Sequence, residues 1–129
     1  MAIKVIHIGQ GYLDKRGEIK TVLDKAKMGI KSVLYIESKK GSTRGEHYHK
    51  KDNHYVYCIS GKFKYSQSKP PFNNLDCVVL EPGDLVFTPA SHWHSMEYLE
   101  DSVMLALATE PRLQSKYERD TFRLKVSND

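Results

Sequence analysis

The chain has 129 residues, 40% hydrophobic and 28% charged, with a formal net charge of +4. That composition suits one domain spanning 1–129, with enough material for a core but not for two. No apolar run approaches the ~20 residues needed to cross a bilayer, and Met1–Ile8 alternates like a strand without the apolar core and cleavage site of a signal peptide. The expectation is a cytoplasmic protein with no membrane partner. Lysines are scattered, with small clusters at Lys39-Lys40 and Lys50-Lys51, and no basic helix or aromatic RNA-binding motif accompanies them. This argues against nucleic acid and suits a small anionic ligand.

In chain order, β-like runs lie near 3–8, 18–23, 32–37, 46–50, 55–60, 62–66, 76–80, 85–88, 93–98, 102–108 and 121–126. Turns fall at Gly9-Gln-Gly11, Asp14–Gly17, Lys40-Gly41, Ser60-Gly61, Pro70-Pro71, Asn73-Asn74 and Pro82-Gly83. Helix is confined to a turn over 25–28 and a short segment over 113–118. Gly9-Gln-Gly11 lacks the third glycine and the following helix of a dinucleotide site, so it reads as a turn. Many short strands at regular spacing predict an all-β sandwich or jelly-roll barrel. Cys58 and Cys77 each sit in an apolar run and are expected to be reduced core thiols. Tyr55, Tyr57, Phe63 and Tyr65 are assigned to the outer packing face of the sheet, and Trp93, of opposite parity to His94, is expected to face outward.

Five of the six histidines fall in two windows, one from Gly41 through His47, His49 and His54 to Gly61, the other from Gly83 through Pro89 and His92 to His94. Strand residues i and i+2 share a face, so His47 and His49 project together while Tyr48 faces away. A hairpin is expected to set that pair beside His54, with His94 closing over them. His7 stands alone and reads as structural or surface; His92, in the turn before His94, reads as a supporting residue. Buried unpaired imidazoles are costly, so the clustered four call for a metal, a ligand or water.

The two windows resemble the paired motifs of the cupin superfamily. Gly41, His47, His49 and Gly61 fall on the first motif, with His54 at its glutamate position; Gly83, Pro89 and His94 fall on the second, with Ser91 in place of a glycine. The resemblance implies a cupin jelly-roll barrel, the double-stranded β-helix. Asp14-Lys-Arg16-Gly17, Arg44-Gly45-Glu-His47-Tyr-His49-Lys50 and Tyr117-Glu-Arg119-Asp120 are similar to elements of the sugar-nucleotide ketoisomerases and epimerases of deoxysugar and polysaccharide biosynthesis. Those enzymes often carry glutamine at the position of His54 and alanine at that of Tyr48, and they usually work without metal.

The resemblance implies a nucleotide-linked 4-keto-6-deoxyhexose as substrate, no required cofactor, and a homodimer with the first strand exchanged. Moving a carbonyl between neighbouring carbons needs a proton taken from the α-carbon and returned elsewhere, which suits imidazole near neutral pH. His49 is the first choice of base, with His47 as its partner. Tyr35 and Tyr48 are candidate phenolic donors, Arg44 and Arg16 candidate phosphate ligands, and His54 and His94 further substrate contacts. The alternative is a metal-dependent cupin enzyme in which His47, His49, His54 and His94 hold Zn, Fe, Ni, Mn or Co. A third reading is a non-catalytic ligand-binding cupin.

Overall fold

The structure is a computed structural model that describes residues 3–126. Its elements are β1 (Ile6–His7), β2 (Tyr12–Asp14), β3 (Gly17–Ile19), β4 (Ser32–Ser38), β5 (Thr43–Tyr48), β6 (His54–Ser60), β7 (Phe63–Ser68), β8 (Asp76–Leu80), β9 (Asp84–Thr88), β10 (Trp93–Tyr98), β11 (Ser102–Ala108), α1 (Gln114–Arg119) and β12 (Phe122–Arg123). Two five-stranded sheets, ordered β1-β9-β6-β11-β4 and β12-β5-β10-β7-β8, form the body, and β2-β3 is a separate two-stranded sheet. Every pairing is antiparallel. No helix among the described residues is long and apolar enough to cross a membrane.

Alternation makes the two sheets one body. Along β11, Ser102, Met104, Ala106 and Ala108 are buried while the residues between them are half-exposed. Met104 and Ala106 meet Val56 and Cys58 from β6, Phe63 and Tyr65 from β7, and Met96 and Tyr98 from β10 in one core. Phe63 and Tyr65 are fully buried, so their expected place on the outer face is corrected. The cause is the turn at Gly61, where the chain leaves one sheet for the other and the inward parity changes from even on β6 to odd on β7. Gly61 has φ +86°, and a Cβ there would lie 2.3 Å from the Asp101 carbonyl oxygen. Inside, the Tyr65 hydroxyl meets the Thr88 hydroxyl and accepts a hydrogen bond from the Gln67 amide, joining the sheets with a satisfied polar contact.

Other expectations also change. Trp93 is 3% exposed; its indole N–H donates to the Leu124 carbonyl at 2.6 Å, so the segment after β12 covers it. Cys58 is buried but Cys77 is exposed, and both are free; burial raises the Cys58 thiol to about 11. The run read as 18–23 is half of a hairpin that Asp14 closes, accepting the Arg16 backbone N–H at 2.8 Å. Every residue of β2 and β3 is exposed, including Tyr12, Leu13 and Ile19. His7 ties β1 to the barrel through Asp84 at 2.7 Å.

Candidate active site

His47 and His94 are Cα partners on β5 and β10, side by side in one sheet. Their placement depends on a bulge. Arg44 pairs with Met96 and Gly45 with Ser95, but His47 pairs with His94, so the register slips by one residue. Gly45 and Glu46 absorb the slip with φ of 88° and 58°. Without it, Arg44 and His47, three residues apart, would face opposite sides of the sheet; with it, both line the same cavity. Gly45 also lets β5 approach β10, since a Cβ there would stand 2.8 Å from the His94 carbonyl oxygen. Gly45→Ala is therefore expected to destabilise the fold by roughly 1–3 kcal/mol and to lower activity beyond the stability loss, both measurable by denaturant unfolding beside turnover. Ser91, where the cupin motif has glycine, adopts the glycine-like φ of 68°.

His54 arrives differently from the way the spacing suggested. Because β6 lies in the opposite sheet from β5, no hairpin places it beside His47; it faces the pair across the barrel interior. The ring centroids are 4.7 Å apart for His47–His49 and His47–His94, 4.8 Å for His54–His94, 5.6 Å for His49–His94 and 6.1 Å for His49–His54. All four rings are buried. They line an open cavity of about 970 Å³.

Three of the rings are oriented through Nδ1. His49 Nδ1 donates to the Asp120 carbonyl at 2.9 Å, which leaves Nε2 with its lone pair. His54 Nδ1 lies 3.3 Å from Asp52 Oδ2, and His94 Nδ1 lies 3.4 Å from the His92 carbonyl. Asp120 organises the site as well as His49: its carboxylate accepts backbone N–H groups of Lys50, Lys51 and Asp52. Asp52 Oδ1 in turn accepts the N–H of Thr109 and Glu110. The Tyr117 ring packs 5.2 Å from His49. Asp52 carried no signal beyond standing two residues before His54. Tyr117 and Asp120 were visible as a tail motif with no role attached.

Burial is the main electrostatic force. It holds the imidazoles of His47, His49 and His94 below the ordinary value, His47 at about 3, with neighbouring imidazoles and, for His47, Arg123 and Arg112 adding to the effect. For His49 the hydrogen bond to Asp120 opposes the shift. These three rings are neutral at neutral pH.

The remaining candidates divide. Arg44 borders the cavity, but its Nε donates to Ser38 Oγ at 2.7 Å and one Nη to the Glu37 carbonyl at 2.9 Å. Arg16, the other candidate phosphate ligand, lies on the β2–β3 hairpin, paired with Asp14 at 2.7 Å, and does not line this cavity. Tyr48 is likewise not brought to the histidines; it lies outside β5, stacked on Phe122 and against Phe72, each with ring centroids 5.2 Å away. Tyr35 stands at the rim, 63% exposed and of opposite parity to the half-buried Leu34 and Ile36. The metal set also narrows. His47, His49 and His94 offer ligand atoms within 4.8 Å of one another, and His54 falls outside the group.

Two antiparallel sheets enclosing a histidine-lined cavity define a cupin barrel. The sequence model of the family described as "WxcM-like, C-terminal" matches residues 1–127, and the chain belongs to that family. Among solved structures it is similar to QdtA, a sugar 3,4-ketoisomerase from Thermoanaerobacterium thermosaccharolyticum in complex with TDP. The two share 27% identity over 95% of this chain and 88% of that one, with a TM-score of 0.76. A QdtA mutant in complex with TDP-4-keto-6-deoxyglucose is 26% identical over 95% and 87% of the two chains, at a TM-score of 0.75. The TDP-quinovose 3,4-ketoisomerase WlaRB from Campylobacter jejuni shares the fold, with 20% identity over 95% and 92% and a TM-score of 0.78. No curated protein sequence matches the chain.

Proposed function

We propose that the protein is a nucleotide-sugar ketoisomerase that moves a carbonyl between C4 and C3 of a TDP-linked 4-keto-6-deoxyhexose. The observation that carries this reading is His49, buried in the cavity with Nδ1 fixed on the Asp120 carbonyl and Nε2 left as a base. Likeness to QdtA supplies the substrate class.

His49 Nε2 takes the proton from C3, which the adjacent C4 ketone acidifies, and O4 takes up a proton from solvent in the open cavity to give an enediol. Protonation at C4 and loss of the proton from the C3 hydroxyl leave the ketone at C3. His47, 4.7 Å from His49 between ring centroids, can pass a proton along but stores none at neutral pH, given its value of about 3. His54, backed by Asp52 on the facing sheet, hydrogen-bonds the sugar from the other side. The assay is incubation with TDP-4-keto-6-deoxyglucose in deuterated buffer. NMR should show the carbonyl moving to C3 with deuterium entering the ring; an unchanged sugar spectrum overturns the reading.

The His47–His49–His94 grouping supports a second reading, since neutral imidazoles suit Zn, Fe, Ni, Mn or Co. Such an ion would polarise a substrate carbonyl, but it would occupy the His49 nitrogen that the first reading uses as base. Stoichiometric metal in active protein would favour this reading; inhibition by added zinc would favour the first. The exposed apolar side chains of the β2–β3 hairpin suit burial against a second copy, so we also propose a homodimer in the cytoplasm.

A further inference from the structure

We infer that Arg112, seated over the Tyr117 ring, is the residue that grips the diphosphate of the nucleotide sugar; this rests on the nucleotide-sugar reading above. The chain has five arginines, Arg16, Arg44, Arg112, Arg119 and Arg123, and their partners separate them. Arg16 is paired with Asp14 away from the cavity. Arg44 is hydrogen-bonded through Nε and one Nη. Arg119 donates Nε to the Ser115 carbonyl, and Arg123 pairs with Glu118. Among the described residues, none accepts a hydrogen bond from Arg112 or forms an ion pair with it. Its contact is the Tyr117 ring, with Cζ 3.6 Å from the centroid.

That contact leaves the guanidinium edge available. With no acceptor for it among the described residues, its five N–H donors form a fork that matches two phosphate oxygens. The stack also fixes orientation before any ligand arrives, so less side-chain freedom is lost on binding.

Position follows from the same ring. Tyr117 lies 5.2 Å from His49 and 6.3 Å from His47. A diphosphate joins the sugar at C1, so its charges lie within one sugar's width of the reacting C3 and C4. A ligand with those carbons at the imidazoles and C1 toward Tyr117 brings its phosphates to Arg112. The cavity as a whole favours anions: it is bordered by Arg44, Lys51, Arg112, Lys116, Arg119 and Arg123 against Glu37, Asp52, Glu110 and Asp120. Two of these acids, Asp52 and Asp120, are already bound to backbone N–H groups.

The test is calorimetric titration of TDP, TMP and thymidine into wild type, Arg112→Gln and Arg112→Lys at one ionic strength. Arg112→Gln should weaken TDP about tenfold or more, the scale of a lost charge-assisted pair, and leave thymidine unchanged. Arg112→Lys, which keeps the charge but not the fork, should fall between. If Arg112→Gln binds TDP within about twofold of wild type while wild type isomerises the sugar, the Arg112 assignment alone is overturned. If wild type neither binds TDP nor converts the sugar, the nucleotide-sugar reading falls with it. Circular dichroism of each variant separates either result from misfolding, which an exposed position such as Arg112 should escape.

Discussion

His49→Asn is expected to reduce isomerisation by roughly 10²–10⁴-fold, the usual contribution of a positioned general base, with TDP affinity nearly unchanged. The amide keeps a donor for the Asp120 carbonyl, which His49 Nδ1 meets at 2.9 Å, so the loop over 50–52 stays tied to the Asp120 carboxylate. What disappears is the basic nitrogen facing the cavity. The fall should therefore appear in kcat and not in KM, and the deuterium entering the sugar ring should vanish with it. A variant that still exchanges the C3 proton at wild-type rate would remove His49 from the base role. Its metal content should match wild type on the first reading and drop on the metal reading.

The second large effect is acid lability. An ordinary imidazole titrates near 6.5, but His47 does so at about 3 and His49 and His94 are also held below their ordinary value, burial being the leading cause for each. The folded state therefore takes up these protons less readily than the unfolded chain. Their burial costs no protonation energy above about pH 6.5, and stability falls as pH drops from there toward the folded-state values, at roughly 1.4 kcal/mol per pH unit for each imidazole still neutral in the fold. His47 alone, held at about 3, carries that slope throughout the window, and His49 and His94 add to it in the same direction. The urea midpoint should drop sharply between pH 7 and pH 5. His47→Asn, which cannot be protonated in that range, should flatten the slope. Equal midpoints at the two pH values would show that these rings are not buried as described.

Much of this architecture was written in local pattern. Period-two alternation located the β4 to β11 runs to within a few residues, and the spacing of Gly41, His47, His49, Gly61, Gly83 and His94 identified the barrel. What alternation could not supply was the sheet to which a strand belongs. Phe63 and Tyr65 read as outward because parity was carried across Gly61, where the chain changes sheet. His54 read as a hairpin neighbour of His47 for the same reason, though the two face each other from different layers. The Gly45-Glu46 bulge was hidden because a slip of one residue leaves no compositional trace. Asp52 was missed because its importance lies in contacts made over long separations, 57 residues from Asp52 to Thr109.

The four imidazoles are not equally free to change over evolutionary time. His47 and His94 are neighbours on one backbone ladder, so their separation is dictated by peptide hydrogen bonding and resists drift. His54 is held opposite them by the thickness of the side-chain layer between the sheets, where Val56, Met96, Met104 and Ala106 lie. A change of one methylene there alters that gap without touching any site residue. Descendants of this chain thus have a short route to new sugars: the β5–β10 side, which carries His47 and leads into His49, keeps the chemistry in place, while repacking the interior moves the opposing wall.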